Sequence, residues 1–67
     1  MITIVLNGED KSIESSTTIQ QLLQSLEIEN KRLAVEINQE IIPRNHFNNH
    51  VLCESDKVEI VQAIGGG

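Results

Sequence analysis

Ile2, Ile4 and Leu6 alternate with Thr3, Val5 and Asn7, the period-two pattern of a strand with one buried face. Asn7-Gly8 follows at once. This pair accepts the positive φ angles of a tight hairpin, so the chain is expected to return over residues 11–15 with Ile13 pointing inward. Thr17 and Thr18 are both suitable helix N-caps, each with a glutamine three residues on, Gln20 or Gln21, to complete a capping box. Ile19, Leu22, Leu23 and Leu26 then recur at i, i+3, i+4 and i+7, which predicts a helix of about three turns with one apolar stripe. The only surface available to bury that stripe is a sheet.

Polar Glu29-Asn30-Lys31 ends the helical pattern, after which Leu33, Val35 and Ile37 alternate with Ala34, Glu36 and Asn38 in a third strand. Ile41-Ile42 is closed by Pro43, which cannot donate to a ladder and so marks an edge or terminating strand. Residues 44–57 read mostly as loop, with Phe47, Val51 and Leu52 as anchors to the core. Val58, Ile60 and Gln62 alternate with Glu59, Val61 and Ala63 in a last strand expected to reach Ile64, where glycines begin. The expected class is α+β, a sheet packed on one helix, with a domain over residues 1–64 and a tail over 65–67.

A chain of 67 residues makes one small domain with little room for an enclosed active site. The apolar fraction of 39% is that of a folded protein. Ten acidic against five basic residues give a net charge of −5, which repels phosphate backbones and anionic membranes. Nucleic acid and membrane are therefore not expected partners, and the acidic surface suits either plain solubility or a basic patch on a protein. The opening residues lack a basic region and a long apolar run, so no signal peptide or membrane span is expected. The expectation is a cytoplasmic protein, monomeric when free.

Candidate chemistry is sparse. Cys53 is the one cysteine, without neighbours at metal-ligand spacing, and is read as structural. His46 and His50 stand four apart, as two zinc ligands on a helix would, but Asn48-Asn49 argues for a turn and no third ligand is near; surface histidines are the expected reading. No metal site is expected. What remains is Gly65-Gly66-Gly67 at the carboxyl end. Glycines without side chains cannot pack, so this tail is expected to be exposed and flexible, and extended it reaches about 10 Å, enough to carry a carboxylate into a narrow channel of another protein. A carboxylate must be activated before a nucleophile attacks it, most simply as an acyl-adenylate made by an ATP-using partner. Taken alone the glycines also fit a frayed end, but they follow directly on a predicted strand, with no linker to blur their position.

The run Val35-Glu36-Ile37-Asn38 through Ile41-Ile42-Pro43-Arg44, with Phe47 following, resembles the sulfur carrier proteins of thiamine biosynthesis, the ThiS family of the ubiquitin-like β-grasp superfamily. Leu52 to Val61 and then Ile64-Gly65-Gly66-Gly67 resemble that family's ending, and the similarity covers essentially the whole chain. Phe47 stands where the family often has Trp, and Ser55 where the turn before the last strand often has Gly. The resemblance implies a β-grasp fold in which an E1-like adenylyltransferase, ThiF, uses ATP and magnesium to adenylate Gly67. Sulfur from a donor such as a cysteine desulfurase then converts Gly67 to a thiocarboxylate, and thiazole synthase, ThiG, takes that sulfur for the thiazole of thiamine. It also implies that the chain is a cosubstrate with no bound cofactor, and that Gly65 and Gly66 thread into partner active sites.

Thr3, Val5, Val61 and Ala63 alternate away from the helix-facing set and, with Ile64, are the expected docking face beside the tail, or else scattered exposed aliphatics. Three other readings stand beside the thiamine carrier: a sulfur carrier for molybdopterin synthesis, a ubiquitin-like protein modifier, and an inert binding module.

Overall fold

Asn7 and Gly8 have φ of 49° and 85°, so both central positions of the first turn are left-handed, as a type I′ hairpin requires. A two-residue loop of this kind leaves no slack: β1 (Ile2–Leu6) pairs antiparallel with β2 (Glu9–Ile13) from Leu6↔Glu9 to Ile2↔Ile13. The return strand therefore begins two residues earlier than the sequence pattern suggested and ends at Ile13, which is buried as expected. The computed structural model describes residues 1–62.

Of the two candidate caps, Thr18 starts the helix, α1 (Ile19–Ser25). Its hydroxyl accepts from the Gln21 N–H, and the Gln21 side chain accepts from the Thr18 N–H, a complete capping box. Ile19, Leu22 and Leu23 are buried while Leu26 is half-buried at the C-cap, so the apolar stripe is real but the helix is shorter than predicted. It stops because Glu27 turns left-handed at φ 62°: its N–H reaches the Gln24 carbonyl and the Ile28 N–H reaches the Leu23 carbonyl, the two bonds of a Schellman cap.

β3 (Leu33–Ile37) turns at Asn38-Gln39, φ 52° and 72°, into the short edge strand β4 (Glu40–Ile42). A single 3₁₀ turn (Arg44–His46) follows Pro43 and leads to Phe47, which is buried. Arg44 lies over the Phe47 ring at 5.6 Å and donates to the Lys31 carbonyl, so the Pro43-Arg44-Phe47 stretch fastens the turn to the body. Phe47 and Leu52 anchor the 44–57 segment as expected, whereas Val51 is exposed. Val51 forms an isolated bridge with Thr18, and alternation about that bridge sends Leu52 inward and Val51 out.

The last strand, β5 (Lys57–Gln62), lies at the centre of a five-stranded sheet in the order β2-β1-β5-β3-β4. It runs parallel to β1 and antiparallel to β3. One face of the sheet packs on α1 around Ile4, Ile13, Ile19, Leu22, Leu23, Val35, Ile37, Phe47, Leu52 and Val58. The core thins towards the end of β5: Val58 is fully buried, Ile60 half-buried and Gln62 exposed. No helix of the described residues is long and apolar enough to cross a membrane.

Candidate functional site

The site begins with how β5 is held, because the segment that follows Gln62 leaves from the central strand. On its β1 side the ladder is short, Val5↔Lys57 and Leu6↔Val58, continued by the Asn7 N–H donating to the Val58 carbonyl at 2.8 Å. There the chain turns away, and the Asn7 side chain takes over: Oδ1 accepts from the Ile60 N–H at 2.8 Å and Nδ2 donates to the Ile60 carbonyl at 3.4 Å. The second hairpin does the same at the start of the strand. Asn38 Oδ1 accepts from the Lys57 N–H at 3.0 Å, its Nδ2 donates to Asp56 at 3.1 Å, and its own N–H donates to the Lys57 carbonyl at 2.8 Å. Two turns, one on each flank, thus project an asparagine amide onto the strand between them. The sequence shows both residues as turn formers; that their side chains also bond a third strand follows only from the strand order.

The sheet face away from α1 carries Thr3 and Val5 on β1, Lys57, Glu59 and Val61 on β5, Ala34 and Glu36 on β3, and Ile41 on β4. Thr3 and Val5 are half-buried between neighbouring strands, while Val61 is 60% and Ile41 67% exposed. This face is therefore mixed rather than apolar: Val61 lies beside Ala34, but Glu59 stands directly opposite Glu36 in the register. Ala63 and Ile64, also expected on the docking face, and Gly65, Gly66 and Gly67 lie outside the described residues, as does the expected domain boundary.

His46, His50 and Cys53 all lie on the 44–57 segment. His46 and His50 line a cleft of about 260 Å³ with Asn49, on a turn closed by the His50 N–H donating to the His46 carbonyl. No group of three or more His, Cys, Asp or Glu side chains suited to a metal ion occurs among the described residues. Cys53 is exposed, in the turn before β5, where its N–H donates to Asp56 Oδ2 at 2.8 Å. A groove of about 610 Å³ between β2 and α1 is lined by Lys11, Ile13, Glu14, Thr17, Gln21 and Leu22 among others.

Comparison with known proteins bears on the whole chain. The ThiS family model matches residues 4–67. The sulfur carrier protein ThiS of Bacillus subtilis is 46% identical over 63 residues, covering 92% of this chain and 96% of the relative. A thiazole synthase of Paramagnetospirillum magneticum is 39% identical over 64 residues, covering 96% of this chain but 20% of the relative, so the chain spans about a fifth of that protein. Among solved structures, the thiamine biosynthesis protein ThiS of Geobacter metallireducens superposes with a TM-score of 0.84 at 26% identity, covering 98% of this chain and all of the other. The sheet order, the single helix and the extent of these matches agree: the chain belongs to the ThiS family, the sulfur carrier proteins of thiamine biosynthesis.

Proposed function

We propose that Gly67 is the reacting residue, and that the rest of the chain presents its carboxylate to two enzymes in turn. The observation that carries this reading is the extent of the family match, which runs through the glycines to the last residue. The position of β5 supports it, since the segment after Gln62 follows directly on the central strand of the sheet. In the first step a carboxylate oxygen of Gly67 attacks the α-phosphorus of ATP on an adenylyltransferase, displacing pyrophosphate and leaving an acyl-adenylate. In the second a sulfide-level nucleophile attacks the activated carbonyl carbon; the C–O bond to AMP breaks with its electron pair, and Gly67 becomes a thiocarboxylate. ATP and magnesium belong to the partner in this scheme, and the carrier contributes no catalytic group.

The receiving enzyme in this reading is a thiazole synthase, which uses the thiocarboxylate sulfur for the thiazole of thiamine. Support comes from relatives of that name in which a stretch similar to this chain makes up about a fifth of the protein. Gly65 and Gly66 serve as a thread of backbone width, and Thr3, Val5 and Val61, with Ala63 and Ile64, form the docking face. The Glu36–Glu59 opposition on that face supports a partner with basic groups, because like charges directly across a ladder are unfavourable when alone.

In a strain that lacks its own thiamine sulfur carrier, the full chain is expected to restore growth without thiamine when its cognate enzymes are supplied. The chain without Gly67, or with one residue added after it, is expected to fail while keeping its folding stability. A shortened chain that still rescues would refute the reading, and rescue of molybdenum-cofactor synthesis alone would favour the molybdopterin carrier.

A further inference from the structure

We infer that Asn7 is a positioning residue for the carboxyl-terminal segment, holding the outer half of β5 in the conformation that partner enzymes bind. The inference rests on the sulfur-carrier reading above. Had β1 continued straight, its next carbonyl and the amide two residues on would have met the Ile60 N–H and C=O in the parallel ladder. Instead the chain turns at Asn7-Gly8, and one side-chain amide supplies both the acceptor and the donor, at 2.8 and 3.4 Å. Ile60 turns its backbone groups toward β1, so on that flank they are held by this side chain, whereas the other flank is paired with β3 as far as Leu33↔Gln62. Ile60 is next to Val61 on the strand and seven residues before Gly67. Asn7 is exposed and outside the core cluster, so its amide orders the strand without contributing to the core.

Asn7→Gly isolates that role, because glycine keeps the left-handed turn position and deletes only the amide. Asn38→Gly is the control: it deletes the equivalent amide at the start of β5, away from the carboxyl end, from a position that is also left-handed at φ 52°. A carrier whose competent conformation is populated less often shows a raised apparent KM with unchanged kcat, since the bound state is the same once formed. For Asn7→Gly we expect the KM of the adenylyltransferase for the carrier to rise about fivefold, with kcat unchanged and amide hydrogen exchange at Ile60 accelerated by a similar factor, the scale of two solvent-exposed hydrogen bonds. We expect Asn7→Gly and Asn38→Gly to lower the melting temperature to a similar extent, but Asn38→Gly to keep a wild-type KM. A wild-type chain that is adenylated, beside an Asn7→Gly variant at wild-type KM, overturns the inference alone. An Asn38→Gly variant with the same rise in KM overturns it too, because general destabilisation then explains both. A wild-type chain that is not adenylated contradicts the sulfur-carrier reading and the inference with it.

Discussion

Residues with positive φ show most directly where the sequence suits its backbone and where it does not. Asn7 and Asn38 occupy left-handed turn positions that asparagine tolerates, and their amides are used on β5. Ser55 sits at φ 70°, in the turn before β5, where its N–H donates to the Thr3 carbonyl at 2.7 Å. That bond is made by backbone alone, so the serine side chain adds steric cost at this position without serving it. Ser55→Gly is expected to stabilise the protein by about 0.5–1 kcal/mol, read as a higher urea midpoint at unchanged slope. A lower midpoint would show that Ser55 is not strained. Ser55 falls within the 44–57 stretch that the sequence marks as loop; Glu27, left-handed at φ 62°, gave no such sign.

At the scale of elements, the start of α1 was legible because a capping box is local: Thr18 and Gln21 serve each other within four residues. Its end was not, since a Schellman cap without glycine leaves only Ile28 N–H to Leu23 carbonyl geometry as its mark. The segment after β4 was hidden for a different reason. The Ile19 N–H donates to the His50 carbonyl and the Gln20 N–H to the Phe47 carbonyl, so this loop is ordered by donors of the helix start that would otherwise lack partners. Backbone demands of that kind leave no periodicity for a sequence pattern to show. Thr18→Ala removes the cap and is expected to cost about 1 kcal/mol, lowering the melting temperature by about 4–8 °C for a domain of this size. An unchanged melting temperature would mean that the loop, rather than the hydroxyl, caps the helix.

For the molecule as a whole, the hairpin, the helix and the two later strands could be read from alternation and spacing, since each has one buried face. The strand order could not, because nothing local tells β5 to insert between β1 and β3. That order makes β5 central and puts Val61 on the open face at 60% exposure. Val61→Glu should leave the fold intact and raise the KM for adenylation about tenfold, the loss of one well-placed interface contact. A folded Val61→Glu variant with unchanged kinetics would exclude the open face as the docking site.

The chemistry of Gly67 was read from the glycine tail and from resemblance, and the family match now extends to that residue. Its most direct test is the intact mass of the full chain after incubation with ATP, magnesium, the cognate adenylyltransferase and a sulfur source. The account predicts a gain equal to one oxygen replaced by sulfur, absent without ATP and absent in the chain lacking Gly67. An unchanged mass with an adenylyltransferase verified as active on its own carrier, or conjugates on lysines of other proteins, would contradict it.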